Sequence, residues 1–222
     1  MKLAHLELKN TIDIKSNQPC EWIIEAPEVF AKYVQELLNQ KNGLDGNFTL
    51  SVDGKICEIS KKVEVILNPF DIDINEKRII NKLYTQLGEI AYTETFYMQT
   101  QEILRQIYQY VLQLEHESRH ILSLDGDIDL NTLFKATGVK HEVFEGDFFE
   151  TLCRYMKVVS EVLGIKLIVF INLRSYLTDV QMEVLITDIN YEDFSILLIE
   201  NQERSCLHGV NRCIIDRDLC EI

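Results

Sequence analysis

Long apolar runs are absent from this 222-residue chain. None approaches the ~20 residues a membrane-crossing helix needs. The first residues lack the apolar core of a secretion signal, so a cytoplasmic protein with no membrane partner is expected. Cysteine occurs six times (Cys20, Cys57, Cys153, Cys206, Cys213, Cys220) but never as a CxxC pair. Without a secretion signal these are expected to be reduced, mostly buried small side chains. Cys206, Cys213 and Cys220 recur every seven residues near His208, whereas structural zinc takes its ligands in tighter pairs. Positive charge is scarce: 22 Lys and Arg stand against 36 Asp and Glu, a net charge of −14. A single copy with that balance lacks the basic footprint that holds DNA, although an assembly could gather its basic residues on one surface. Acidic excess also favours divalent cations. Proline and glycine are both missing from residues 75–120, apart from Gly88.

What is present is an ordinary globular composition, 46% apolar and 26% charged, which sets aside a disordered chain. The length suits one substantial core with a large insertion. Residues 165–172 read Ile-Lys-Leu-Ile-Val-Phe-Ile-Asn, apolar without alternation, as in a strand covered on both faces of a parallel sheet. A second run, Ile196-Leu197-Leu198-Ile199, follows one helix later, so the pair predicts a strand-helix-strand crossover. Ligands of such sheets gather beyond the carboxyl ends of the strands, here near residues 172–176 and 200–203.

Residues 3–8 predict an edge strand and residues 21–25 a second short strand. Pro27 sits where a first helical turn should begin, ahead of the stripe Val29, Phe30, Tyr33, Val34, Leu37 and Leu38. Asp53-Gly54 between residues 47–52 and 55–59 is a hairpin signal, and 63–67 is a further strand. From 75 to about 120 the spacing turns helical, predicting two helices broken around 93–100. A short helix through Phe134, capped by Asp127 or Asp129, and an amphipathic helix over 147–163 follow, with a last strand or hairpin in the tail. Together these give an α/β protein with a mostly parallel sheet, residues 1–68 and 148–222 forming a head and residues 69–147 a helical leg.

Three candidate chemistries can be weighed from the residues. A phosphate loop needs glycines so that backbone N–H groups wrap the phosphates, plus a lysine. The matching turn here is Glu25-Ala26-Pro27-Glu28, which would repel an anion. His116-Glu117-Ser118-Arg119-His120 matches H-E-x-x-H, which on a helix places two imidazoles on one face for zinc with the glutamate as general base. A zinc-dependent hydrolase is therefore one alternative, with His141 or Glu142 as a third ligand. Asp125-Gly126-Asp127-Ile128-Asp129 starts like a calcium loop, but Leu130 and Ala136 replace the glycine and glutamate of an EF-hand. A looser calcium site with Glu115 or Glu117 stands beside plain capping carboxylates.

Several stretches in order resemble the small ring-forming CRISPR-associated adaptation protein of type II-A systems. They are Ile66-Leu67-Asn68-Pro69-Phe70-Asp71-Ile72-Asp73, Leu133-Phe134-Lys135-Ala136-Thr137-Gly138-Val139-Lys140, and Lys166 to Asn172 with Tyr176-Leu177-Thr178. Ile196-Leu197-Leu198-Ile199-Glu200 and Ile214-Ile215-Asp216 complete the set. The resemblance implies a degenerate phosphate-loop nucleotide-binding fold with an inserted helical leg, and no enzymatic activity. It further implies a homotetrameric ring that takes ends of linear double-stranded DNA, is stabilised by calcium, and works with other CRISPR adaptation proteins in spacer acquisition and antiviral defence. Expected metal ligands are Glu115, Glu117, Asp125 and Asp127. Family members carry a dense acidic run where this chain has residues 114–124, with His116 and His120 in place of carboxylates. Lys135 and Lys140 lie in matching sequence and, with Lys61 and Lys62, are the candidate DNA contacts. A protein-protein scaffold docking through the leg is the remaining alternative.

Overall fold

The computed structural model describes residues 1–15, 18–124, 126, 128–143, 146–189 and 192–222. The chain forms two compact units, Met1–Ile74 with Phe144–Ile222, and Asn75–Val143. In chain order the elements are β1 Lys2–His5, β2 Ile12–Asp13, β3 Cys20–Ile24, α1 Pro27–Lys41, β4 Phe48–Val52, β5 Lys55–Cys57, α2 Ile59–Lys62 and β6 Val63–Ile66. Then come α3 Lys77–Ala91, α4 Tyr97–Glu117 and α5 Leu130–Ala136, followed by α6 Phe148–Leu163, β7 Leu167–Ile171, α7 Asp179–Ile189, β8 Ser195–Glu200 and β9 Asn211–Ile215.

The first unit is built on a five-stranded sheet in the order β6-β7-β8-β3-β9, parallel at every pairing. The run at 165–172 is its middle-left strand, β7, between β6 and β8, and all five of its residues are buried. Burial on both faces is why the run does not alternate. One face carries Trp22, Ile24, Val169 and Leu197, which pack with Tyr33 and Leu37 of α1. The alternate residues Ile168, Phe170 and Leu198 point to the opposite face, and α6 and α7 bury apolar stripes of their own. At roughly 1.5–3 kcal/mol for each large apolar side chain removed from water, this sheet and its cover dominate the unit's stability.

A second, antiparallel sheet runs β2-β1-β4-β5. The expected edge position of the first strand is corrected here: β1 is interior, because β2 turns back to pair Leu3 with Ile12 while β4 pairs on its other side. Asp53 (φ 50°) and Gly54 (φ 76°) join β4 to β5, both left-handed as a type I′ hairpin turn requires. The strand expected over 55–59 ends at Cys57, and Ile59 instead starts the one-turn helix α2 with its side chain buried. Asp147 caps α6 by accepting from the Glu150 N–H, in a capping box with Glu150, and Gly164 (φ 68°) ends it. That left-handed residue turns the chain directly into β7.

In the second unit the helical spacing of 75–120 yields α3 and α4, separated by residues 92–96. Asp129, one of the two expected caps, accepts from the N–H groups of Asn131 and Thr132 at the start of α5. Tyr84 of α3 is buried, donates its hydroxyl to Val139 O (2.9 Å), and lies 5.8 Å from the Phe134 ring. Helix α4 is different: none of its 21 residues is buried.

Candidate functional site

The carboxyl edge of the parallel sheet, where a ligand would be sought, is occupied by the chain's own charges. A short 3-10 turn, Leu173–Ser175, follows β7 and carries Arg174, whose side chain is 1% exposed. Its guanidinium donates to Glu21 Oε1 of β3 (2.8 Å), Asp179 Oδ1 at the start of α7 (3.1 Å) and Ser205 Oγ (3.2 Å). The other Glu21 oxygen accepts from Arg212 Nε of β9 (2.8 Å), and Arg212 also reaches Glu203 Oε1 (3.1 Å). Glu200, the last residue of β8, accepts the Arg174 backbone N–H on Oε1 (3.1 Å), while its Oε2 is buried with no partner. Asn172 Oδ1 accepts the Asn201 N–H (3.0 Å), stitching the ends of β7 and β8 together.

The electrostatics follow from this packing. Burial raises the Glu200 carboxyl to about 7, and nearby Glu21 adds to the rise against the opposing pull of Arg174 and Arg204. For Arg174 burial works against the charge, yet Glu21 and Asp179 hold its pKa above the usual value. The edge is thus a network of charges linking β3, β7, β8, β9 and α7, in which Glu200 Oε2, Arg174 Nε and Arg204 Nε stay buried without a hydrogen-bond partner. Sequence reasoning pointed to residues 172–176 and 200–203 but did not single out Arg174 or Glu21. The available signal was a lone glutamate inside the apolar strand Cys-Glu-Trp-Ile-Ile, which needs a buried partner.

The turn from β3 into α1 keeps its sequence character: Ala26 is the N-cap with no side-chain hydrogen bond, Pro27 opens the helix and Glu28 lies in the first turn. The H-E-x-x-H expectation is corrected by the backbone. α4 stops at Glu117, and Ser118 is extended (ψ 160°), so His120 lies beyond the helix and cannot share a helical face with His116. His116 and Glu117 are 88% and 87% exposed. Among the described residues no group of three His, Cys, Asp or Glu is placed to hold a metal ion, and this covers Cys206, Cys213, Cys220 and His208 as well. Cys213 instead interacts with buried Cys20, which lowers Cys213 to about 7 and raises Cys20.

Of the expected calcium ligands, Asp125 and Asp127 lie outside the described residues. Glu115 and Glu117 stand two residues apart on α4, where side chains diverge by about 200°, so the two do not fit around one ion. Glu115 Oε1 already accepts the Leu122 N–H (2.9 Å). Among the lysines, Lys61 pairs with Glu58 (2.6 Å) and Lys62 donates to Gly164 O (3.1 Å), both in the first unit. Lys135 and Lys140 are exposed in the second. That unit also holds a groove of about 990 Å³, lined by Tyr92, Gln101, Arg105, Tyr108 and Asn131 among others. Arg105 is held by Glu102 (2.6 and 2.8 Å), and among the described residues no His or Cys lines the groove.

These observations define a class: an α/β protein with a wholly parallel five-stranded sheet, a strand-to-helix turn without a phosphate loop, a charge-sealed sheet edge and a separate helical unit. The profile of the family described as CRISPR-associated protein (Cas_Csn2) matches residues 40–219, and the chain belongs to that family. The CRISPR-associated protein Csn2 of Enterococcus faecalis is 28% identical over 142 residues, which cover 62% of this chain and 63% of that protein. The chain therefore spans somewhat under two thirds of that relative's length. Among solved structures, part of an ABC transporter complex from Clostridium perfringens is 10% identical with a TM-score of 0.42, covering 87% of this chain and 70% of that one. A Pyrococcus furiosus chain assigned as an ABC transporter ATP-binding protein is 14% identical with a TM-score of 0.37, covering 96% and 97%. At those scores the likeness carries no functional argument. No helix among the described residues is long and apolar enough to cross a membrane.

Proposed function

We propose that this protein serves CRISPR adaptation without catalysis, as a ring of four copies that holds the ends of linear double-stranded DNA during spacer acquisition. The observation that carries the reading is α4: 21 residues with an apolar stripe, none of them buried. Ile103, Tyr110 and Leu114 are 43%, 60% and 49% exposed. An amphipathic helix gains stability by burying its apolar face, so α4 asks for a further copy. Assembly also answers the charge problem, because a ring can collect lysines on its inner wall while carboxylates face outward. Lys135 and Lys140 are the stronger DNA candidates, since Lys61 and Lys62 already have partners. Calcium enters this reading as the ion that offsets carboxylates at the end of α4, using Glu115 or Glu117 with donors from elsewhere. The charge-sealed sheet edge and the glycine-free turn at Pro27 support a role without turnover, in the cytoplasm beside other adaptation proteins.

The test is binding of linear and covalently closed duplex to the full chain, by fluorescence anisotropy over a salt series. The reading expects tight binding to linear duplex that weakens steeply with salt and poor binding to closed circles. Equal affinity for both forms would refute end-binding.

A further inference from the structure

Phe70, Phe148 and Tyr176 form an aromatic cluster on the surface of the first unit. The Phe70 ring lies 4.6 Å from Phe148 and 5.3 Å from Tyr176, the second pair edge-to-face at 88°. Phe70 follows β6 and Tyr176 follows β7, so two neighbouring parallel strands deliver the rings to the same end of the sheet, and Phe148 opens α6. Phe70 is 64% exposed and Tyr176 43%, and their chain neighbours Leu67 and Val180 are 47% and 70% exposed. Exposed apolar clusters of this kind mark interaction sites.

The charge around the cluster selects its occupant. Residues 67–74 contain Asp71 and Asp73, residues 146–153 contain Asp147 and Glu150, and residues 175–189 contain Asp179, Glu183 and Asp188. The nearby cations are fewer, Arg154 after the second segment, Arg174 bound to Glu21 and Asp179, and Arg204 donating to Ser175 Oγ (3.1 Å), so carboxylates remain in excess. Phosphate would be repelled here, and a second copy presenting the same face would set carboxylate against carboxylate. Exposed aromatic faces in segments with an excess of carboxylates attract guanidinium and ammonium groups, through cation–π contact and ion pairing together. We propose that the Phe70–Phe148–Tyr176 face docks an arginine- and leucine-bearing cationic segment of a partner protein. None of these residues is among the lysines assigned to DNA, so the proposal stands or falls apart from the ring reading.

The test uses the full chain and a fluorescein-labelled nonapeptide, Arg-Leu-Arg repeated three times, with the same peptide carrying Glu for Arg as the negative probe. Wild type is expected to bind the arginine peptide and not the glutamate one. Phe70→Ser is expected to weaken binding by about ten-fold, the scale of a lost cation–π and apolar contact. Ile56→Ser, which alters an 80% exposed apolar residue on β5, is expected to leave it unchanged. Asp71→Lys provides a second variant, since its backbone N–H bonds Asn68 O and among the described residues its carboxylate makes no hydrogen bond, and it should weaken binding at least as much. Linear-duplex binding should be unaltered in both. Equal peptide affinity of wild type, Phe70→Ser and Asp71→Lys would overturn the proposal. So would a Phe70→Ser variant that changes the mass of the assembly without changing peptide affinity, because the occupant would then be another copy.

Discussion

The two units solve the problem of stability in opposite ways. In the first, β7 and β8 contribute eleven strand residues that are all buried, and at the carboxyl edge the charged side chains of Arg174 and Glu21 are buried against each other. In the second, the buried apolar side chains among the described residues are Ile79, Tyr84 and Leu130. A unit of that size with so small a core is marginal alone. The difference teaches where the proposed function would reside: the first unit buries a large core of its own, whereas the second leaves the apolar residues of α4 exposed, the surface that the proposed assembly would cover.

The largest effect that would break this contrast is expected at Arg174. Arg174→Ala leaves Glu21 and Glu200 buried with less compensation and should destabilise the first unit by about 3–5 kcal/mol, read as a fall in denaturation midpoint. A loss below 1 kcal/mol would mean that the sealed edge is not a structural element. Glu200 sharpens the point through pH. Its carboxyl ionises near 4.5 when unfolded and near 7 when folded, so between those values the folded state binds the extra proton. Stability from this group is therefore present at pH 4 and lost as pH rises to 7, by on the order of 2–3 kcal/mol at 1.36 kcal/mol per pKa unit. Glu200→Gln should gain that amount relative to wild type between pH 4 and pH 8 in chemical denaturation. Parallel pH profiles would contradict it.

On the other side of the comparison, Ile103→Glu should shift the chain's own melting by under about 0.5 kcal/mol, as exposed substitutions do. Its self-association should fall at least ten-fold, about 1.4 kcal/mol, in sedimentation equilibrium. A variant that assembles like wild type would remove α4 from the interface. The smallest effect is expected at His116, where His116→Ala should change neither stability nor metal content, because the helix ends before His120. Stoichiometric zinc lost on that substitution would reinstate the hydrolase alternative.

Much of the first unit was legible because burial on both faces writes itself as unbroken apolar runs, at 167–171 and 196–199, and because Asp53-Gly54, Pro27, Asp147 and Gly164 act through local backbone chemistry. β1 was misplaced since pairing partners are non-local: the two residues of β2 that make it interior carry almost no pattern. α2 was missed because a single turn, 59–62, is shorter than the helical period can reveal. The candidate site was less legible still. Arg174 meets Glu21 across 153 positions, and only folding makes a lone arginine the partner of a lone glutamate. The H-E-x-x-H alternative presumes a helix that runs through His120, whereas α4 ends at Glu117 and leaves an exposed polar helix end.

The most direct test of the claim that function resides in the assembly is size-exclusion chromatography with light scattering on the full chain, with and without calcium, alone and with linear duplex. The account predicts a four-copy mass that calcium favours and that moves to a larger complex with linear DNA. A calcium-independent monomer that leaves the duplex unbound would contradict it.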